Sequence, residues 1–376
     1  MRIAVVGGGP GGLYFAYLWK RRHPADDVEL FEQNAPDATF GFGVVFSEQA
    51  LGFLREDDPE TVAAIAPRME SWSNITLNLR GERIEIDGIG FSSIGRLALL
   101  RILQRRTEAV GVTCRYRTAV QSIDNGYDLI VAADGLNSLV RRSFEGDFGT
   151  SLSYATNKFA WYGTRKRFET LSQTFVDAEL GSFNAHHYRY QPDMSTFLVE
   201  CDHATWQRYG FAEKTVEESA AICERVFADV LGGEPLISNR SVWRNFPWLW
   251  NERWSFGNIV LIGDALHTAH FSIGSGTRLA IEDAIALAKA LEENLEDIEA
   301  ALQAYEAARK PVVKKLVAAS RASADWYESF PVHMKLKPMD FAFSYITRTG
   351  RVDPARLTRM SPDFMAQYDN AKRVGG

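Results

Sequence analysis

Cysteine is scarce in this chain: three among 376 residues, Cys114, Cys201 and Cys223. So sparse and odd a set cannot staple a small secreted scaffold, and it reads as buried small hydrophobes in a reducing compartment. An excess of basic charge is also missing. With 42 lysines and arginines against 48 aspartates and glutamates the net charge is −6, which does not indicate a nucleic-acid binder. No apolar run approaches the roughly 20 residues of a membrane-spanning helix. The run Met1 to Val6 is too short for a signal peptide and meets glycines at once. Repeats and low-complexity tracts are lacking, which excludes solenoids and flexible linkers. Metal-ligand spacing is absent too, since seven histidines and three cysteines form no C-x-x-C or H-x-x-x-H, so no metal site is expected. What remains is a chain 46% hydrophobic, 24% charged and 12% aromatic. It is long enough for two domains, or for one domain carrying an insertion. The expected setting is cytoplasmic, with no membrane partner and a homodimer as the assembly.

The chain opens with a β-branched run, Ile3 to Val6, then Gly7-Gly8-Gly9, a helical stretch to about His23-Pro24, and a second strand Val28 to Glu32. This is a βαβ start of the kind that feeds a parallel sheet. Leu97 to Val110 has the spacing of an amphipathic helix with Arg101, Arg105 and Arg106 outward, and Leu129 to Ala133 reads as a buried strand. From about Tyr154 to Cys201, alternating aromatic and polar residues indicate an antiparallel sheet, followed by a helix over Val216 to Leu231. Asn258 to Asp264 returns to buried-strand texture, and the last hundred residues are mostly helical, with Pro311 as a kink or boundary. The fold class is therefore α/β: a Rossmann-like dinucleotide-binding domain with an inserted antiparallel-sheet substrate domain and a helical C-terminal region. The expected division is 1–72, 97–155 and 256–300 for the dinucleotide domain, 73–96 and 156–255 for the substrate domain, and 301–376 for the helical region.

Gly7, Gly9 and Gly12 fit G-x-G-x-x-G between strand and helix. The first permits the tight turn, the second lets backbone approach a pyrophosphate, and the third lets helix pack on strand. The helix start then offers free N–H groups and a positive dipole to the phosphates. Glu32 lies 20 residues beyond Gly12, where a carboxylate can accept ribose hydroxyls. These residues alone leave FAD and NAD open. Two further stretches favour FAD: Asp128 to Arg141, which carries Asp134-Gly135, and Asn258 to Asp283, which carries Gly263-Asp264 and a glycine loop. Asp264 is an acceptor for ribityl hydroxyls. The helix entered through Gly274 and Gly276 turns its dipole toward a reduced flavin ring.

The trio GGGPGG, DGLNSLVR and GDALH…IEDA resembles the single-component FAD-dependent aromatic hydroxylases of the p-hydroxybenzoate hydroxylase fold, over nearly the whole chain. That resemblance implies Glu32 on the adenosine ribose, Arg96 on the ribityl–pyrophosphate stretch, Asp134 in a motif serving FAD and the reducing nucleotide, and Asp264 on the ribityl chain. The family's P-x-x-G-Q-G-x-N is replaced by Phe271-Ser272-Ile273-Gly274-Ser275-Gly276-Thr277-Arg278. HFSIGSGT, with FGFGVVFSE, NKFAWYGT and STFLVEC, resembles a narrower branch: salicylyl-CoA 5-hydroxylases, 2-aminobenzoyl-CoA monooxygenases and the violacein-pathway tryptophan hydroxylase. The resemblance implies transient reduction by NADH or NADPH, reaction of reduced flavin with O₂ to a C4a-hydroperoxide, and 5-hydroxylation of a small aromatic ring carried as a CoA thioester. The alternatives are hydroxylation of tryptophan or another indole, and, in another class, a flavin-binding redox partner that does not hydroxylate.

The candidate catalytic residues are His270, to hydrogen-bond the ring's hydroxyl or amino group, Phe271, to line the ring cavity, and Tyr162 and His187 on the substrate sheet. Glu200 lies on the same sheet. Consecutive His186 and His187 are expected to face opposite sides of their strand. Candidate sites for CoA phosphates are Arg101/Arg105/Arg106 and Arg165-Lys166-Arg167.

Overall fold

The computed structural model describes residues 1–122 and 126–375. The opening β-branched run forms β1 (Arg2–Val6), and the glycines turn the chain into α1 (Pro10–Arg22), with Pro10 at the first turn where no hydrogen bond is lost. β2 (Asp27–Glu32) returns parallel to β1, Val6 opposite Phe31. The chain then leaves this sheet through β3 (Gly43–Ser47), α2 (Glu48–Asp57), α3 (Pro59–Ile65), β4 (Glu70–Trp72), β5 (Ile75–Leu79), β6 (Glu82–Ile86) and β7 (Phe91–Gly95). It comes back with α4 (Arg96–Ala109), β8 (Thr113–Tyr116) and β9 (Leu129–Ala132), followed by the short α5 (Leu139–Ser143) and α6 (Glu145–Phe148).

An antiparallel run follows: β10 (Thr150–Thr164), β11 (Leu171–Ala178), β12 (Gly181–Gln191) and β13 (Met194–Cys201). Helices α7 (His203–Arg208), α8 (Val216–Val226) and α9 (Ala228–Leu231), then β14 (Leu236–Ser238) and β15 (Arg244–Asn251), complete that layer. The helix expected over Val216 to Leu231 is thus interrupted at Phe227. β16 (Ser255–Phe256) and β17 (Ile259–Leu261) rejoin the first sheet. The rest is helical: α10 (Gly276–Glu293), α11 (Ile298–Glu328), α12 (Phe330–His333), α13 (Pro338–Thr347), α14 (Pro354–Met360) and α15 (Pro362–Gly375). Pro311 is not a boundary, because α11 runs through it. Leu302, Tyr305, Val313 and Leu316 bury one stripe of that helix in the main core, and this packing outweighs one missing backbone donor.

The first sheet has the order β16-β17-β9-β1-β2-β8, parallel except at the β16–β17 hairpin. All four residues of β9 are buried, as a parallel strand covered on both faces requires. The second, eight-stranded sheet runs β14-β10-β13-β12-β11-β5-β6, with β15 also on β10. A small third sheet has the order β3-β7-β4. It is tied to β12 by the Arg189–Glu70 ion pair at 2.8 Å and by the Tyr188 hydroxyl donating to the Gly43 carbonyl at 2.9 Å.

The second sheet separates two packed layers. One face carries Ala160, Tyr162, Phe183, Ala185, Phe197 and Val199 against Cys223 and Phe227 of the α8 region. The other face turns Phe175 toward Phe330 and Phe341 of the C-terminal helices, and turns Phe159 and His186 toward Phe271.

Candidate active site

The site begins where β1 ends. Gly7 takes φ +109°, and a Cβ there would sit 2.3 Å from the Ala133 carbonyl oxygen; a Cβ on Gly12 would sit 2.1 Å from the Gly7 carbonyl. Both positions therefore require glycine for helix and strand to close up. Gly9 differs, having open space where its Cβ would be, and as the N-cap of α1 it supplies no side-chain cap. The first N–H groups of α1 thus face an open space. Glu32 stands beside this turn, half-buried, accepting from the Gly8 N–H at 2.8 Å and from the Asn34 backbone and side chain, each at 2.7 Å.

The next strand tip carries Asp134. Its Oδ2 accepts from the Leu139 N–H at 2.8 Å and so caps α5, while Oδ1 is buried without a partner. Burial raises this carboxyl's pKa, against which its hydrogen bonds pull. Arg141 ties the turn to the next loop, donating to the carbonyls of Leu136 at 2.6 Å and Ala265 at 3.1 Å.

That next loop follows β17 and bears Asp264, which is open to solvent yet ringed by protein on most sides. Its enclosure pushes the carboxyl up, and the charges of His267 and Arg96 pull it back. Arg96, at the start of α4, is itself lowered by burial and held up by Asp264. The loop is anchored from beneath by Asp283 of α10. This fully buried carboxylate accepts from the Gly263 N–H at 3.1 Å, pairs with His267 Nε2 at 2.9 Å, and accepts from Arg309 Nε of α11 at 2.8 Å. Burial works against its charge, but His267 and Arg309 outweigh that and hold it below the ordinary carboxylate range. Sequence reasoning quoted Asp283 within its motif without a role, and Arg309 carried no local signal.

Gly274 adopts the left-handed conformation, φ +60°, that lets the chain turn into α10. Gly276 opens that helix with nothing within 4 Å of its would-be Cβ, and no side chain caps the helix start. Gly11 of α1 would meet Ala280 of α10 at 3.1 Å, so the two uncapped starts lie side by side.

Beyond this loop lie His270 and Phe271. His270 is buried. Its Nδ1 accepts from the Ser272 N–H at 3.3 Å and meets the Ser272 hydroxyl at 2.8 Å, leaving the proton of the neutral ring on Nε2. Burial brings its pKa down to about 4, with Glu200 opposing. Phe271 packs on Phe159 with centroids 4.8 Å apart, on His186 at 5.3 Å and on Phe246 at 6.1 Å.

Tyr162 and His187 are not part of this cluster and lie on the opposite face of the sheet. Tyr162 lies opposite Phe197, and Phe197 opposite His187, so all three share the face turned toward α8. Side chains alternate along a strand, so the residue that reaches Phe271 is His186, which sequence reasoning passed over. Its environment is a directed hydrogen-bond chain. The Tyr327 hydroxyl donates to Gln173 Oε1 at 3.3 Å, Gln173 Nε2 donates to His186 Nδ1 at 2.9 Å, and His186 Nε2 faces Glu200 Oε2 at 3.4 Å. Asn157 Nδ2 donates to Glu200 Oε1 at 2.9 Å. Every donor points toward Glu200, whose carboxyl burial pushes up while His270 draws it down. The only signal available beforehand was the polar alternation Asn184, His186, Tyr188 against Phe183, Ala185, His187.

These residues fit FAD. Two uncapped helix starts lie side by side with open space at Gly9 and Gly276, Asp134 has an unsatisfied oxygen, and Glu32 and Asp264 offer carboxylates at the ends of β2 and β17. Fold and site together define a dinucleotide-binding flavoprotein. An FAD-binding-domain family model matches residues 103–320. Salicyloyl-CoA 5-hydroxylase of a Streptomyces species is 40% identical over 362 residues, 93% of this chain and 70% of that protein. A 3-hydroxy-4-methyl-anthranilyl-[aryl-carrier protein] 5-monooxygenase of Streptosporangium sibiricum is 38% identical, over 88% of this chain and 90% of that one. Protodeoxyviolaceinate monooxygenase of Chromobacterium violaceum is 31% identical, over 98% of both. Among solved structures, 2-methyl-3-hydroxypyridine-5-carboxylic acid oxygenase superposes with a TM-score of 0.74 at 18% identity, covering 94% of this chain and 97% of that one, a likeness of fold alone. The chain belongs to the FAD-binding-domain family of flavoprotein monooxygenases. Among the described residues no helix is long and apolar enough to cross a membrane, and no group of three or more histidine, cysteine or acidic side chains is placed to hold a metal ion.

Proposed function

We propose that this protein hydroxylates an electron-rich aromatic ring presented as a thioester, with salicylyl-CoA or 2-aminobenzoyl-CoA as the substrate type and the position para to the ring's hydroxyl or amino group as the target. NADH or NADPH and O₂ are the co-substrates, and the balance is ring C–H plus O₂, NAD(P)H and a proton giving ring C–OH, water and NAD(P)⁺. Bound FAD supplies the electron transfer and oxygen activation. The polar–aromatic cluster around Phe271, on the turn that leads from Asp264 into α10, is the observation that carries this reading. Two of the relatives named above act, by their names, on aryl thioesters of CoA or a carrier protein.

In this reading Gly9 and the start of α1 receive the pyrophosphate, Glu32 the adenosine ribose, and Arg96 and Asp264 the ribityl stretch. Asp134 lies where the middle of the dinucleotide passes, and Gly274 and Gly276 admit the flavin ring to the start of α10. Phe271, Phe159 and Phe246 hold the substrate ring and exclude water. His270 Nε2–H orients the ortho substituent, and Glu200, fed by the Tyr327–Gln173–His186 chain, takes up the proton that substituent loses as the ring becomes nucleophilic. The matching division gives 1–72, 97–155 and 256–300 to the cofactor, 73–96 and 156–255 to the substrate, and 301–376 to helical cover. Sheet membership of β5, β6 and β11–β15 supports the second of these, whereas β10 crosses the 155/156 boundary and β7 belongs instead to the small sheet shared with β3 and β4.

The test is product analysis by mass spectrometry under ¹⁸O₂, with the two thioesters, their free acids and tryptophan as the panel. The thioesters are expected to accelerate NAD(P)H oxidation and to gain one labelled oxygen. Equal stimulation by the free acids removes the thioester, a labelled tryptophan product favours the indole reading, and no oxygenated product from any member leaves only a flavin-binding redox partner.

A further inference from the structure

We propose that the face of the eight-stranded sheet turned away from Phe271 holds a second ligand site, which takes a small aromatic carboxylate. A cavity of about 630 Å³ opens there between β5, β11 and β12 on one side and α8 and α9 on the other. This volume is in the range of small-molecule sites. The sheet itself stands between this cavity, lined by His187, and the Phe271 cluster, reached by His186, so one ligand cannot fill both. The proposal does not rest on the hydroxylation reading.

The floor is polar and organised. The Thr76 and Thr170 hydroxyls meet at 2.7 Å, Asn78 Nδ2 donates to Thr174 Oγ1 at 3.0 Å, and Thr174 Oγ1 lies 2.9 Å from His187 Nε2. Thr174 can satisfy its neighbours by accepting from Asn78 and handing its own proton to His187 Nε2. The neutral imidazole then carries its hydrogen on Nδ1. His187 is 1% exposed and lines the cavity, and its Nδ1 has no hydrogen-bond partner among the described residues. A buried N–H left unpaired is destabilising, so this floor is short of one acceptor.

The walls add the rest of the specificity. Phe168 packs on the His187 ring at 4.0 Å, and Phe227, Val226 and Val230 add apolar lining. At the rim are Arg80, Arg83, Lys166 and Arg167 against Glu169, Asp177 and Asp229. Arg83 is engaged by Glu85 at 2.6 Å, Arg80 by the Leu336 carbonyl at 2.7 Å, and Asp177 by the Ser182 hydroxyl at 2.7 Å. Lys166 and Arg167 have no carboxylate partner among the described residues. A flat ring between apolar walls, an oxygen over the floor and an anionic group at Lys166 and Arg167 together describe an aryl acid with a ring hydroxyl.

The test titrates FAD-loaded enzyme with 2-hydroxybenzoate by calorimetry while the flavin absorbance is followed. One saturable event is expected below about 10 mM, with the flavin spectrum unchanged. The double variant Lys166→Ala/Arg167→Ala should weaken it about tenfold or more at unchanged FAD content, as loss of charge-assisted contacts requires. Thr174→Val should weaken it as well, and 2-hydroxybenzamide should bind about tenfold more weakly than the acid. Absence of saturable binding overturns the proposal, as does affinity indifferent to both variants, or binding that perturbs the flavin and so belongs to the other face. A failed hydroxylation assay leaves these outcomes unaffected, because none of them reads turnover.

Discussion

At the scale of single residues, Glu200 carries the most consequence. It is buried at 1% exposure, two side chains donate to it or face it, and each neighbour in the chain is fixed by another hydrogen bond. Glu200→Gln keeps the shape and removes the ability to take up a proton. It should lower kcat about 100-fold, with FAD content and thermal stability close to wild type, and should remove the ascending limb of the pH–rate profile. An unchanged kcat in steady-state assays would strip Glu200 of this role. His187 makes a separate prediction about stability. Burial holds its pKa at about 3 against an ordinary 6.5. Below pH 6.5 the unfolded chain therefore takes up a proton that the native state refuses, and acid favours unfolding. Stability should fall by up to about 1.4 kcal/mol per pH unit on this account. His187→Gln retains a partner for Thr174 and does not titrate. Urea midpoints measured between pH 7 and 4.5 should consequently fall less steeply in the variant than in the wild type.

At the scale of elements, the strand–glycine–helix units are the local machinery, and their glycines do different work. Gly12→Ala forces a Cβ to 2.1 Å from the Gly7 carbonyl, with Ala133 also close, so α1 cannot seat on β1. Thermal unfolding should show a large loss of stability, with little FAD retained. Gly276→Ala meets no atom within 4 Å and lies in the first turn of α10. It should stabilise the protein without cofactor by about 0.5–1 kcal/mol, through the reduced freedom of the unfolded chain. Filling the space at the helix start should at the same time weaken FAD binding, read by flavin fluorescence on titration. The contrast separates a glycine needed for packing from one needed for a ligand. Elements such as β1–α1–β2 and β17–α10 were legible in the sequence because turn, cap and periodicity lie within about thirty residues. The division at Phe227 and the passage of α11 through Pro311 were not, because packing partners distant in sequence decide them.

At the scale of the molecule, the C-terminal helices close the sheet opposite the second cavity. Phe175 of β11, 2% exposed, packs on Phe341 at 4.8 Å, Phe330 at 5.8 Å and Trp326 at 5.9 Å. Phe175→Ala should cost about 3–5 kcal/mol, measurable in urea unfolding, because this aromatic joint links the helical cover to the sheet. Sequence alone determined the cofactor class and the parallel sheet, since glycine turns, strand-end acids and buried β-branched runs are local chemistry. The face of the second sheet on which each candidate side chain lies was decided by tertiary structure. Separating His186 and Glu200 from His187 and Tyr162 requires the register of β10, β13 and β12, and one residue of slip exchanges every side chain between the two faces. Asp283 and Arg309 likewise meet only because α10 and α11 pack together. Residues far apart in sequence become a site when the core brings their helices and strands into contact, and no local pattern records that contact.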